Sequence, residues 1–151
     1  REGYRLPTEW EWELACRSGT ITPRYWGRDA AWTGKFAQFR FNTRLGPADV
    51  GLLLPNDFGL YDMQGNVMEW CMWFADQDAV AESMNEDKAI VEEGSSGPWR
   101  AVTRGGGHHN IPDVLRSAYR RFEDPRTTAI DIGFRVVRTL RPDEKLRVGK
   151  E

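Results

Sequence analysis

Three glycines run straight into the only two histidines of the chain at Arg104 to Asn110, RGGGHHN. Imidazole binds transition metals and moves protons near neutral pH, so His108 and His109 are the first candidates for chemistry. Neighbouring residues on a strand point to opposite faces, which places the pair poorly for gripping one metal ion together. A lone histidine base would need an oriented partner. The two are therefore read, with Asn110 beside them, as contacts for a ligand rather than as catalysts. On that reading, replacing both by alanine leaves folding nearly intact. Cys16 and Cys71 are the only thiols, far apart and without CxxC spacing or a nearby metal ligand. Each reads as a buried thiol, and spacing alone leaves open whether they are bonded to one another.

The elements that must hold these residues are unevenly legible. Thr8 and Glu11 form a Thr-x-x-Glu capping box after Pro7, predicting a helix from Thr8 to about Ser18 with Gly19 as its left-handed cap. Trp10 and Leu14 share one face at i,i+4 spacing, Glu13 can pair with Arg17, and Trp12 and Cys16 fall on a neighbouring face. More than one side of this helix is therefore expected to meet protein. From Thr20 to Pro55 no periodicity persists, which predicts ordered loops anchored by Trp26, Trp32, Phe36, Phe39 and Phe41. A second helix is expected from Asn66 to about Phe74, beginning at a Gly-Asn turn, with Val67, Trp70, Cys71 and Phe74 at helical spacing. Trp99 to Arg104 and Gly133 to Thr139 carry strand residues.

Charge narrows the partners. Twenty-one basic and twenty-three acidic side chains give a net charge of −2, so no overall field draws the protein to nucleic acid or anionic membrane. No apolar run approaches the roughly 20 residues that span a bilayer. Neither nucleic acid nor membrane is expected as a partner. Ala75 to Gly97 holds seven acidic residues against one lysine and reads as a solvated surface excursion, whereas Arg100 to Arg138 holds eight arginines against four acidic residues. The chain opens within REGYRLP without an initiator methionine, which reads as a piece of something longer.

Four stretches in order carry a resemblance: YRLPTEWEWELACR, FGLYDMQGNVMEWC, VTRGGG, and RSAYRR followed by IGFRVVR. Together, from Tyr4 to Arg138, they resemble the sulfatase-modifying-factor family, whose founding members are formylglycine-generating enzymes. The resemblance implies an α+β, loop-rich C-type-lectin-like fold with few helices and a small antiparallel sheet. It also implies a domain over residues 1–141 lacking its N-terminal part, followed by a charged tail over 142–151. In that family the arginines of RGG and GFR recur in the core, so Arg104 and Arg135 are expected to be structural, whereas Arg116 and Arg120 are free to reach a ligand.

The same resemblance implies a structural Ca2+ site, with carboxylates from Asp62 and Glu69 and main-chain carbonyls from Gly65 and Val67. The chemistry is sound in itself, since calcium prefers several hard oxygens and a glycine turn lets carbonyls converge. The alternative is that Asp62 caps the turn and Glu69 pairs with an arginine. Formylglycine-generating enzymes bind copper through a pair of C-terminal cysteines, a site that depends on soft thiolates. No cysteine follows Cys71, so copper is not expected. The resulting reading is a binding, capping or scaffolding module of a larger protein, its ligand a protein or small molecule, with a fusion or subunit partner supplying the missing N-terminal part. Within the framework of RGG, RSA-x-R and GFR, HHNIPDV, Tyr119 and RFEDPRTTAID stand where some lectin-like relatives are diversified. The other reading is part of an oxidoreductase, of formylglycine-generating or iron-dependent sulfur-transfer type, whose remaining catalytic residues lie outside this chain.

Overall fold

A computed structural model describes residues 3–43, 46–75, 91–93 and 100–140. Most of the acidic stretch between Ala75 and Gly97 and the 142–151 tail lie outside these residues.

The capping box forms as expected. Thr8 stands in extended backbone and its hydroxyl accepts from the Glu11 N–H at 3.2 Å, while the Glu11 carboxylate accepts from the Thr8 N–H at 2.8 Å. Helix α1 (Glu9–Arg17) follows a two-residue strand β1 (Tyr4–Arg5), whose Arg5 forks onto Glu11 at 2.7 and 2.6 Å. The left-handed C-terminal position is Ser18, at φ 44°, with Gly19 also at positive φ. The buried stripe is Glu9, Trp12 and Cys16, whereas Trp10 and Leu14 are 73% and 67% exposed. Apolar spacing suggested that the Trp10 face would also pack. Instead the helix turns a charged residue inward, because Glu9 finds cationic partners there.

Among the described residues between Thr20 and Pro55 the chain is irregular apart from a 3-10 turn (Ala30–Trp32) and a single-turn helix α2 (Thr33–Phe36). Trp26 stacks on Phe36 with ring centroids 5.2 Å apart, and Tyr25 meets both edge-on. Phe39 is buried. Trp32 and Phe41 do not serve as anchors, both being exposed, and Trp32 carries Lys35 over its ring at 4.3 Å.

The expected helix at Asn66–Phe74 is instead a strand, β2 (Met68–Ala75). Gly65 and Asn66, both at positive φ, make the Gly-Asn turn, and the chain leaves it directly into a mixed five-stranded sheet. The other members are β3 (Val91–Glu93), β4 (Arg100–Arg104), β5 (Arg120–Glu123) and β6 (Ile132–Gly133), in the order β3-β5-β4-β2-β6. β2 pairs antiparallel with β4 and parallel with β6, so both its edges are hydrogen-bonded. That tertiary pairing overrides a local 3.6-residue pattern. The segment expected as one strand over Gly133–Thr139 splits, its second part forming β7 (Val137–Arg138) paired with β1. The sheet is not wholly antiparallel either, since β3 runs parallel to β5.

The register puts chemistry in one row. Glu69 lies opposite Arg104, and Arg104 opposite Arg120. Side chains alternate along a strand, so Cys71, Val102 and Phe122 share that face two residues on. There they join Trp12, Cys16, Tyr25 and Met63 in the core beneath α1. The fold is thus loop-rich α+β with few helices, as expected.

Candidate functional site: a buried arginine row and an adjoining cavity

Arg104 is fully buried. Its Nη1 donates to the carbonyls of Ala118 and Tyr119 at 3.0 and 2.8 Å, and its Nη2 donates to the Ser117 carbonyl at 3.0 Å and to the Glu13 carboxylate. Glu9 Oε1 lies 3.5 Å from Nη1, and the guanidinium sits 5.4 Å from the Trp12 ring centroid. Arg120 Nε pairs with the same Glu9 oxygen at 2.6 Å, and Arg17 with Glu13 at 2.8 Å. Two carboxylates on successive turns of α1 therefore neutralise guanidinium groups from β4, β5 and the helix itself. A buried charge is costly to hold unless it is paired in this way.

Arg135 completes the network at the other end of the row. It forks onto Glu69 at 2.5 and 2.7 Å, and its Nη2 also donates to the carbonyls of Tyr61 and Asp62 at 3.2 and 3.3 Å. The Trp12 indole donates to Glu69 Oε2 at 2.6 Å. Arg104 and Arg135 are therefore ties between chain segments, as expected, and Arg120 also ties β5 to α1 through Glu9.

Those contacts bear on the calcium set. Asp62, Val67 and Glu69 line one cavity of about 420 Å3, but Gly65 does not. A Cβ on Gly65 would lie 2.3 Å from the Gln38 carbonyl oxygen, so its place is dictated by a close backbone crossing. Asp62 Oδ2 accepts from the Gly51 N–H at 2.7 Å, and both oxygens of Glu69 are taken. The Arg135 guanidinium already binds two carboxylate oxygens and two carbonyls, the class of ligands calcium would use. Those two carbonyls belong to Tyr61 and Asp62, and the carbonyls of Gly65 and Val67 are not among the partners of Arg135. Among the described residues, no group of three or more His, Cys, Asp or Glu side chains is arranged to hold a metal.

The histidines diverge, but in a turn rather than on a strand. His108 is buried; its N–H donates to the Asn66 carbonyl at 2.7 Å and its Nδ1 lies 3.1 Å from the same oxygen. His109 is exposed, with Nε2 3.4 Å from Asp131 Oδ2. Asn110 holds the turn, its side-chain oxygen accepting from the Gly107 N–H at 2.7 Å. Gly106 sits at φ 68° where a Cβ would meet Leu115 at 2.6 Å, which explains why the run of glycines precedes them. Tyr119 is buried and Arg116 half-buried. His108, His109, Asn110, Arg116, Tyr119 and Arg120 are not brought together on the cavity that Asp62 and Glu69 line.

Both thiols are free and buried. Burial pushes each up to about 12, and Cys16 lies 3.6 Å from the Ser117 hydroxyl. Neither is a thiolate at neutral pH. Sequence reasoning missed Glu9 as an interior residue and Glu13 as a partner of Arg104. It also missed Asn66, whose side chain clasps Ala48 through both its amide atoms at 2.9 and 3.2 Å. The available signal was the Glu9/Glu13 i,i+4 pair beside an arginine-rich C-terminal half.

Comparison with known proteins agrees with this geometry. A family model for the sulfatase-modifying factor enzyme 1-like domain matches residues 1–140. The formylglycine-generating enzyme of Thermomonospora curvata is 35% identical over 150 residues, covering 88% of this chain and 48% of that protein. The serine/threonine-protein kinase pkn1 of Chlamydia pneumoniae is 35% identical over 141 residues, covering 91% of this chain and 21% of that protein. The structure of Treponema denticola variable protein 1 superposes with a TM-score of 0.70 at 26% identity, covering 89% of this chain and 47% of that one. The chain thus spans about half or less of the length of these relatives. With the four motifs, the buried arginine row and the fold in agreement, the chain belongs to the sulfatase-modifying-factor, or formylglycine-generating-enzyme-like, family.

Proposed function

We propose that this domain is a non-oxidising member of its family, serving as a binding or scaffolding module within a larger protein. The observation that carries the reading is the state of its sulfur. The sequence has two cysteines, both sealed in the core and held as thiols, and none in the C-terminal half. Copper-thiolate chemistry requires accessible thiolates, which this chain does not supply. Arg104, Arg120 and Arg135 are spent on internal ion pairs, which is scaffolding work. Similarity to a kinase and to a protein named as variable supports a fold reused in several contexts.

The test is direct. Purified protein is incubated with copper, oxygen, a reductant and a cysteine-containing peptide, and aldehyde formation is followed by mass spectrometry. No aldehyde is expected; turnover would sink the reading. The second reading, part of an oxidoreductase completed by residues outside this chain, draws on the similarity to a formylglycine-generating enzyme. Aldehyde formation by the full-length protein, with none by this domain, would select it.

A further inference from the structure

We propose that Arg24 and Arg116 together form a binding site for a carboxylate group. The inference rests on the binding-module reading and names the chemistry of its ligand. Arg5, Arg17, Arg104, Arg120, Arg121 and Arg135, all buried or half-buried, each meet a glutamate carboxylate of this chain. Arg24 and Arg116 are the exceptions, since neither forms an ion pair among the described residues. Arg24 is 5% exposed, and its Nη1 and Nη2 donate to the main-chain carbonyls of Arg28 and Pro112 at 3.3 and 2.6 Å. Arg116 is half-buried. The Nε atoms of both side chains are buried and meet no hydrogen-bond acceptor.

The backbone brings the two arginines together. The Ser117 N–H donates to the Pro23 carbonyl at 2.8 Å, so Arg24 and Arg116 stand one residue to either side of a single crossing between distant loops. The Pro112 carbonyl that Arg24 holds belongs to the turn leading into Arg116, where Leu115 N–H donates to the same carbonyl at 3.1 Å. Burial lowers the Arg24 guanidinium from its ordinary value; Asp113 opposes that shift and the charge of Arg116 adds to it. Two like charges held together, one of them out of water, are costly unless an anion joins them. Asp113 is exposed and in ion-pair contact with neither. Two guanidinium charges against one carboxylate leave a single net positive charge, which one more carboxylate cancels. The planar fork of Arg116 matches the two oxygens of such a group, and the Nε–H of Arg24 is a further donor. A neutral ligand would leave the charge uncompensated, and a halide ion has no pair of oxygens for the fork. The carboxylate can come from an acidic side chain of a polypeptide or from a free organic acid.

The test is an NMR titration of the 15N-labelled protein, following the side-chain Nε–H signals of Arg24 and Arg116 and the amide of Ser117. The probes are Nα-acetyl-glutamate N-methylamide, the matching glutamine compound, sodium acetate and sodium phosphate, each at an ionic strength held constant with sodium chloride. Saturable shifts are expected with the glutamate probe and none with the glutamine compound, which keeps the shape and loses the charge. Arg116→Gln is expected to weaken the glutamate probe about tenfold, the scale of one hydrogen-bonded charge pair. Arg116→Lys, which keeps the charge and loses the fork, is expected to weaken it about threefold. Arg116→Gln is also expected to melt no lower than the parent protein, because it relieves the repulsion on Arg24. Equal saturation by acetate supports a free-acid source, and saturation by the glutamate probe alone supports a polypeptide source. Equal binding of the glutamine compound, saturation by phosphate but by neither carboxylate, unchanged affinity in Arg116→Gln, or no saturable shift with any probe would each overturn the proposal. A marked drop in the melting temperature of Arg116→Gln would do so too, by showing that the guanidinium already has a partner within the fold. Aldehyde turnover would end the binding-module reading without producing any of these results, so the two failures can be told apart.

Discussion

Arg104 and Glu13 join the centre of the sheet to the first helix across ninety-one positions of sequence, inside a core where the arginine has no exposure. The pair is one strand of a web that includes Glu9, Arg17, Arg120 and the carbonyls of Ser117, Ala118 and Tyr119. In a fold with so much irregular chain, such a fork replaces missing backbone ladders. One guanidinium fixes a helix and a loop relative to a strand.

Arg104→Lys tests this. Lysine keeps the charge but cannot reach several carbonyls and a carboxylate with one planar fork. Chemical denaturation is expected to show a loss of about 3 kcal/mol, the scale for breaking a buried, hydrogen-bonded ion pair. A loss below about 1 kcal/mol would show that the web is dispensable.

The two thiols make a kinetic and an equilibrium prediction. At pH 8 the native protein is expected to resist a thiol-specific disulfide reagent, with both cysteines reacting only on unfolding. Both groups are raised from the ordinary 9 to about 12, so the folded state holds its protons more tightly than the unfolded state. Their contribution is complete below pH 9 and is lost as pH rises toward 12. Denaturation midpoints measured across that window should fall, and Cys16→Ser with Cys71→Ala should flatten the slope.

Glu11 behaves in the opposite sense. Hydrogen bonds from Arg5 first, with others from Thr8, hold its carboxyl at about 2. The capping contribution is thus present above the ordinary value of 4.5 and is lost as pH falls toward 2. The side chain is 42% exposed, so the effect on global stability is small and is better read as a site-specific carboxyl titration by NMR. Arg5→Ala should return the midpoint toward the ordinary carboxylate range.

Gly65→Ala should be among the most damaging single-methyl additions in the protein. It combines φ 82° with a methyl 2.3 Å from the Gln38 carbonyl oxygen. A loss of more than about 2 kcal/mol is expected. Gly59→Ala, at φ 76° with nothing within 4 Å of the new methyl, isolates the backbone cost, about 1 kcal/mol.

The histidines should separate. His108→Ala is expected to cost about 1–2 kcal/mol, because it removes a buried ring beside the Asn66 carbonyl. His109→Ala should be near neutral, its side chain being half exposed. Equal costs measured by thermal unfolding would count against this division. The joint replacement expected to be harmless from sequence alone is therefore not expected to be so in the folded chain.

Local signals were the legible ones. The Thr8–Glu11 box, the Glu13–Arg17 pair and the Gly-Asn turn depend on residues within four positions of one another, and each is present. The conformation after Asn66 depends on β4 and β6, which arrive from much later in the chain, so Val67, Trp70, Cys71 and Phe74 mimicked a helix while belonging to a strand turn and a central strand. Likewise, hydrophobicity alone favoured Trp10 and Leu14 for burial, and the interior position of Glu9 could be known only once Arg120 was beside it. The structural role of Arg104 and Arg135 was legible through family resemblance. The cavity was not, because Val50, Tyr61, Asp62 and Phe134 converge from segments up to eighty-four positions apart.

The pairing of β1 with β7 sets Tyr4 against Arg138, so residues near the two ends of the described body are tied side by side. The entropy of closing a loop grows only slowly with its length, so even a two-residue ladder can hold so long a stretch of chain shut. The short ladder therefore works as a clasp, and the irregular segments between its strands are constrained from both ends at once.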